Sequence, residues 1–571
     1  MSEGIVEMIL PGTYIEVRAE GLLSVGAIAT GNIGIIGTAE MGTSDIQTLS
    51  SYEEARARFG EPGDWDSHTP DANLTLVRAL RYLFDDGAST VYARRVLDTS
   101  KAKPAEYTLV TDNNAPILHL RAKTPGTWGN RLQVRIEPAE QADLVSDEEV
   151  RRSNGTLLLS AQQVLEPPAP AAAAAPAGGA PAPAPEEPSL GVVTVYENSL
   201  LHRYQLKKSA PSTEVVQFNA TNRSLTLLNA PSDAAIIRVS YHAPMNYLRK
   251  VTLRYGNVQE VYIVPSLSYL EQLLTDDVNP SRLVDVVERN GDGLPKLTTR
   301  FEPFAQGDNG DVSATDYQDA LDDLVDADVQ IVVVLRKFSQ VKGPVLGHLE
   351  KTENLGRERI AIIGADDDDV QKILDNANQV ADKRFVLVAP GLQEEDPDTG
   401  KLIALPRFFS AAAVAGRLSS VSPHVSLTNK TLPAVAGLSA EYNYGDLKSL
   451  VQNRVLALQT KRGIRVVKAI STDDEAFKQI SIRRIIDFAK QGTRLGANQY
   501  IGKLNNRRVR ENLRTTLDGF LADMLQREFL TEYKLAVTAD RAMEIRGEVL
   551  VTMDLKPTFS IDYIRVVMNL S

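Results

Sequence analysis

Six histidines, His68, His119, His202, His242, His348 and His424, are the first side chains to weigh as metal ligands or bases, but they are scattered and none has a second ligand one helical turn away. The chain contains no cysteine, so disulfides, thiolate ligands and thiol nucleophiles are excluded. Ser439, in the run Gly437-Leu438-Ser439-Ala440-Glu441, lacks the closing glycine of a nucleophile elbow, which leaves a hydrolase triad without an anchor. Gly31, Gly34 and Gly37 recur every third residue beside a strand, whereas a dinucleotide fingerprint needs a closer first pair and an opening helix. No Lys-Ser or Lys-Thr follows a glycine-rich loop in the Walker manner. Asp366 to Asp369 follow a strand ending at Gly364 and read as helix caps, because carboxylates accept from the free amides of a first turn and meet the positive end of its dipole. Asp308, Asn309 and Asp311 resemble a calcium loop only superficially, since the register is wrong and the closing Glu is missing; a polar turn is the expectation. These residues predict no catalytic group, no metal and no cofactor.

The elements that would carry them form an interrupted α/β pattern. A strand is predicted at 33–37, helices at 52–59 and 74–84, and a strand at 90–96; apolar runs at 329–335, 360–364 and 385–389 then resume the pattern as parallel strands buried on both faces. Between them, 105–325 reads as a β-rich insertion of short strands, including 117–122, 132–136, 156–159, 192–196 and 236–241. Within it, 166–189 is a Pro/Ala/Gly tract that cannot pack a core and is expected to be a flexible surface loop. Residues 1–28 read as an extended arm, in which Tyr14, Ile15 and Val17 belong to an alternating strand. The last part is predicted to hold helices near 474–491 and 505–530 and then two strands, 549–555 and 561–568. The fold class is thus a multidomain α/β (α+β) protein: an arm at 1–28, a core from 29–104 and 326–545, the insertion at 105–325, and terminal strands at 546–571.

The 571 residues suffice for several buried cores, and a formal net charge of −12 argues against a general nucleic-acid binder, which needs excess cations to neutralise phosphates. No basic-then-apolar leader opens the chain and no apolar run is long enough to suggest a membrane span, so synthesis and assembly in the cytoplasm are expected, without direct membrane insertion. Against this acidic background, positive charge is concentrated in Lys478, Arg483, Arg484, Lys490, Arg494, Lys503, Arg507, Arg508, Arg510 and Arg514, opposed locally only by Asp487 and Glu511. The cluster is either a solvated helix face or a docking surface for an acidic partner.

Several segments resemble contractile tail sheath proteins of phages, R-type pyocins and extracellular injection systems. Pro11-Gly12-Thr13-Tyr14-Ile15-Glu16 is similar to the family's N-terminal arm, Gly34-Ile35-Ile36-Gly37-Thr38-Ala39 to its first core strand, and Phe59-Gly60 to the end of its first helix. The most specific piece is Thr124-Pro125-Gly126-Thr127-Trp128-Gly129-Asn130, which resembles the loop that opens the family's inserted domain. Arg483-Arg484, Asn505-Asn506 and the closing strands also follow the family layout.

The resemblance implies a structural protein, not an enzyme, that stacks as six-subunit rings around an inner tube protein, meets baseplate and terminal cap proteins at its ends, and contracts to drive the tube through a target membrane. It implies that the arm, through Tyr14, Ile15 and Val17, and the C-terminal strands, through Val551, Ile564, Val566 and Met568, add to sheets of neighbouring copies. It further implies that Lys490, Arg494, Lys503, Arg507 and Arg508 hold the tube. The competing readings are an α/β enzyme with a β-rich substrate domain, and a baseplate or other structural part of the same kind of particle.

Overall fold

A computed structural model of the chain describes residues 28–63, 65, 74–150, 152–153, 156–161, 163–167, 187–197, 200–232, 234–395, 400 and 402–568. Of the segments singled out above, the arm with Tyr14, Ile15 and Val17 and most of the Pro/Ala tract lie outside these residues.

The chain divides into two compact units, one from residues 1–97 with 312–571 and one from 98–311, where the sequence placed the insertion at 105–325. In the first unit an eight-stranded sheet runs in the order Gln47–Leu49, Val91–Arg95, Ile33–Gly37, Ile331–Val334, Ile360–Gly364, Phe385–Ala389, Val455–Thr460, Ile464–Val466. The six inner strands are parallel, and each edge is a three-residue antiparallel strand. Short antiparallel edges leave little ladder open to a foreign strand. Every residue of Ile33–Gly37, Ile331–Val334, Ile360–Gly364 and Phe385–Ala389 is buried, which is why these strands read as unbroken apolar runs. Side chains alternate between two cores. Ile33 and Ile35 face the helices Leu76–Asp85 and Arg407–Ser419, while Ile36 faces Ala314–Asp323 and Phe338–Asn354.

The glycines of this first strand are explained by packing. A Cβ on Gly37 would lie 2.6 Å from Leu335 Cδ1 and 2.7 Å from Thr75 Oγ1, and one on Gly34 would lie 3.1 Å from both Leu324 and Val329. Two of the four aspartates after Gly364 cap helices: Asp369 accepts from Lys372 N at 3.1 Å to open the helix Val370–Ala377, and Asp366 accepts from Ser339 N at 3.1 Å in the first turn of Phe338–Asn354. Ser439 donates to Asp368 at 2.6 Å.

One buried carboxylate stands apart. Asp86 follows the helix Leu76–Asp85, is 1% exposed, accepts only from Ala434 N at 3.3 Å, and has no partner for its second oxygen among the described residues. Burial pushes its pKa up to about 7. A folded-state value above the ordinary 3.8 means that the folded form holds the proton more tightly, so stability falls as pH rises from about 4 to about 7 and is flat above. Asp86→Asn, which removes the buried charge, is therefore expected to stabilise the protein at pH 8 by about 2 kcal/mol and to make no difference near pH 4; urea melts at the two pH values check this.

The second unit is built from antiparallel sheets. Its largest has the order Asp143–Glu149, Ile236–Ala243, Gly191–Glu197, Leu200–Lys207, Val215–Asn219, Ser224–Thr226, Thr156–Leu158, Arg152–Ser153, with one parallel pairing, that of Leu200–Lys207 with Val215–Asn219. The Trp128 segment is a single 3-10 turn, Thr127–Arg131. Trp128 is 1% exposed, donates from Nε1 to Thr124 O at 3.0 Å and packs edge-on to Tyr255 at 5.1 Å. Asn130 clamps the backbone of Gly307, accepting from its N–H and donating to its carbonyl, both at 2.8 Å. The loop thereby pins the exit of the insertion close to its entry, where Lys103 and Asp308 exchange backbone hydrogen bonds of 2.9 Å.

Candidate assembly interface

The C-terminal part of the first unit is made from two long helices, Ile480–Asn498 and Arg507–Gln526, followed by a two-stranded hairpin, Leu530–Thr538 with Leu550–Pro557. The predicted helix at 474–491 starts later than expected. Asp473 accepts from Glu475 N and Phe477 N and winds that stretch into an Asx-type turn. It also ends later, because Gly492 lets the two helices touch: a Cβ there would sit 2.0 Å from the Phe520 ring.

The helix expected over 505–530 gives way to a strand at Leu530 that the sequence reading missed. The signal was the alternation of Tyr533, Leu535 and Val537, which are half-buried while Glu532, Lys534, Ala536 and Thr538 between them are exposed. Tyr533, Leu535, Met553 and Leu555 pack on a cluster that includes Ile485, Phe488, Phe520 and Met524. Val551 lies in the second strand, paired with Val537, and is half-buried.

The strand expected at 561–568 is not formed among the described residues of one copy. Residues 558–568 pair with no strand among the described residues and hold no regular secondary structure. The segment is tied down at its start, where Thr558 N donates to Phe529 O at 3.1 Å, Asp562 meets Lys468 Nζ and Gln479 Nε2, each at 3.1 Å, and Lys468 Nζ also donates to Tyr563 Oη at 3.1 Å. Beyond that anchor Ile564, Val566 and Met568 are 82%, 70% and 85% exposed. A strand needs a ladder partner, and the described residues of one copy offer it none.

The basic cluster divides in two. Arg483 and Arg484 are 2% and 6% exposed and belong to the interior. Arg484 donates to the carbonyls of Thr30 and Val421, and burial lowers its pKa to about 10. Lys490 and Arg494 join an ion network with the α/β core: Lys490 lies 3.4 Å from Glu353 and 3.3 Å from Glu358, and Arg494 donates through both Nη atoms to Glu358. At its centre Arg384, 1% exposed, donates through Nε and Nη2 to Glu353 at 3.0 Å and through both Nη atoms to Asp487 at 2.6 and 2.9 Å. Hydrogen bonds from Arg384 draw the Glu353 pKa down to about 2. Burial disfavours the Arg384 charge, but its bonds to Asp487 and Glu353 outweigh that and raise its pKa.

Lys503, Arg507 and Arg508 form the second group, exposed at the turn between the helices and without an ion pair among the described residues. Glu353 and Glu358, distant in sequence, explain why the local count of opposing acids understated the pairing of Lys490 and Arg494.

Residues 472–571, which contain both helices, the hairpin and the apolar tail, match the phage tail sheath C-terminal domain. The family match is confined to this C-terminal domain. A curated relative, the tail sheath protein of Bacillus phage SP01, is 24% identical over 281 residues, which span 47% of this chain and 48% of that protein, so the match covers about half the length of each. Over nearly the whole length the fold is that of two solved sheath tail proteins. One is from Desulfitobacterium hafniense, with a TM-score of 0.56 at 12% identity over 96% of this chain and 100% of that one. The other, from Listeria innocua, gives 0.56 at 12% over 95% of each.

Proposed function

We propose that the chain is the structural subunit of a contractile sheath, polymerising helically around an inner tube as part of a phage tail or tail-like injection particle assembled in the bacterial cytoplasm. The observation that carries this reading is the apolar segment Ile561–Met568, left without a ladder partner among the described residues in a domain that matches the sheath C-terminal domain. Contiguous exposed apolar side chains mark an interaction surface, and the alternation of Ile564, Val566 and Met568 suits addition to a sheet edge, where main-chain hydrogen bonds supply affinity and alternate side chains supply register.

The acceptor is the two-stranded hairpin of a neighbouring copy, which has two edges to offer; the arm with Tyr14, Ile15 and Val17 takes the other place in the same mesh. A donor segment and an acceptor on different surfaces make a heterologous contact, which propagates into a helix where the rotation does not close. Lys503, Arg507 and Arg508 face the inner tube, while Lys490 and Arg494 hold the helix Ile480–Asn498 against the core so that the tube-facing turn moves with it. During contraction the subunits rotate and move outward as bodies while the linking strands stay paired, driven by energy stored at assembly, with no nucleotide consumed. The sheath ends meet baseplate and cap proteins.

Negative-stain electron microscopy of the full chain beside variants lacking 1–20 or 561–571 tests the reading. Striated tubes from the full chain, alone or on inner tubes, and folded single copies from both truncations are expected. Tubes that persist without either segment would overturn strand linkage.

A further inference from the structure

The central sheet of the first unit reverses its winding between two adjacent strands. Ile33–Gly37 pairs on one side with Val91–Arg95, and the connection between them packs the helix Leu76–Asp85 on one face of the sheet. Ile331–Val334 pairs on the other side with Ile360–Gly364, and their connection packs Phe338–Asn354 on the opposite face. At such a switch point the two connections part and open a crevice beyond the carboxyl ends of the strands, where open α/β sheets take their ligands. Here the crevice is a cavity of about 310 Å³, room for a small organic molecule and more than a bare inorganic anion needs. Leu335 and Arg336 line it directly after Val334, Ala365 lines it directly after Gly364, and Phe408 adds aromatic surface from the helix Arg407–Ser419.

Two arginines give the cavity its charge. Arg336 donates from Nε to Gln340 at 2.8 Å and lies over the Tyr317 ring at 5.7 Å, and Arg407 donates from Nε to Ala365 O at 3.1 Å. Each guanidinium is thus fixed through Nε, while the Nη atoms of both make no hydrogen bond among the described residues. Asp368 on the same wall lies 3.7 Å from Arg407 Nε, but its two oxygens already accept from Gly391 N at 3.0 Å and from Ser439 Oγ at 2.6 Å. The helix ends beside the cavity are not the source of its charge, since Leu76 N is taken by Thr38 O and Ser339 N by Asp366. A guanidinium held in place offers its remaining donors to an oxyanion with little further loss of freedom, and such charge-assisted bonds are the strong ones.

We propose that this cavity binds a small organic anion, a phosphate or carboxylate group on an apolar body of mononucleotide size. Arg336 and Arg407 hold the anionic group, and the body lies against Leu335, Ala365 and Phe408. The residues that hold the ligand belong to one copy, so it binds with or without polymerisation. It bridges the ends of two core strands and the start of the helix Arg407–Ser419, and by binding the folded form it stabilises the first unit.

The test is fluorescence titration of the full chain in a Trp128→Phe background, where Trp65 on the cavity wall reports occupancy, with AMP, adenosine, citrate and inorganic phosphate as probes. AMP is expected to saturate with a Kd below about 1 mM, and adenosine, which lacks the group that the arginines hold, to bind at least about 10-fold more weakly. Inorganic phosphate, which lacks the body, is expected to bind more weakly than AMP. Arg407→Gln is expected to weaken AMP about 10-fold and Arg407→Lys less, while Arg336→Gln plus Arg407→Gln brings AMP down to the level of adenosine. Circular dichroism confirms the folds, and Arg507→Gln plus Arg508→Gln, at the exposed turn, is the charge control that binds AMP like the parent. Citrate binding in place of AMP, with the same dependence on Arg407, would make the ligand a carboxylate and keep the site. Adenosine or inorganic phosphate binding as tightly as AMP would overturn the proposal, and both comparisons need only the parent side chains at the cavity, should a variant fail to fold. AMP binding unchanged in the double variant, or no saturation by AMP or citrate below about 10 mM, would overturn it as well. If the folded double variant forms no tubes while none of the probes binds the parent, the occupant is a side chain of a second copy and the small-molecule site is wrong.

Discussion

Arg384→Ala is expected to destabilise the first unit by about 3 kcal/mol, because it removes the one buried cation that serves both Glu353 and Asp487, leaving Glu353 to Lys383 and Lys490 and Asp487 to Arg483. Surface charge changes such as Lys372→Ala, in an exposed pair with Asp367, are expected to have little effect by contrast. The pH dependence supplies a signature. In the parent chain Glu353 has a folded pKa of about 2 against an ordinary 4.5, so its contribution is complete above about pH 5 and is lost as pH falls towards 2. The variant lacks the main cause of that depression. The difference between parent and variant is therefore largest at neutral pH and shrinks in acid, as protonation of Glu353 removes the charge that Arg384 pairs in the parent. Trp65 reads this unit, since it packs edge-on to Phe409 at 5.4 Å in the same core, and a Trp128→Phe background makes it the sole tryptophan. Equal destabilisation at pH 3 and pH 7 would show that the loss is one of packing and not of ion pairing.

Trp128→Ala is expected to cost the second unit about 3–5 kcal/mol, the range for deleting a fully buried large aromatic with little room for collapse. Three effects add: the indole volume is lost, the edge-on contact with Tyr255 goes, and the carbonyl of Thr124 loses its Nε1–H donor. Trp128→Phe keeps most of the volume and is expected to lose a smaller amount, near 1–2 kcal/mol. Hydrogen exchange over residues 98–311 measures both. The expected pattern is faster exchange throughout the unit in Trp128→Ala, with the backbone bonds between Lys103 and Asp308 among those exposed. Exchange changed only at 124–131 would mean that the loop is a local ornament.

The core strands were legible because burial on both faces of a parallel strand leaves an unmixed apolar run; Ile33–Gly37, Ile360–Gly364 and Phe385–Ala389 lie where the runs lie. Caps were legible for a similar reason, since an aspartate before a helix acts within three residues of itself, as Asp369 does on Lys372 N. The strand Leu530–Thr538 was missed although its alternation is plain from Tyr533 onward, because the helical pattern leading into it was carried too far.

What the sequence determined by itself were the local properties: which stretches could be buried, where turns fall, that the chain is acidic with a basic stretch, and that the Trp128 segment has one specific composition. Only the tertiary structure decided which charges are free. Lys490 and Arg494 look the same in sequence as Lys503 and Arg507, yet Glu353 and Glu358, more than a hundred positions away, take up the first pair and leave the second in water. It likewise decided that Ile561–Met568 finds no strand partner among the described residues, for the period of a strand states which side chains share a face but carries no information on the partner that completes its hydrogen bonds.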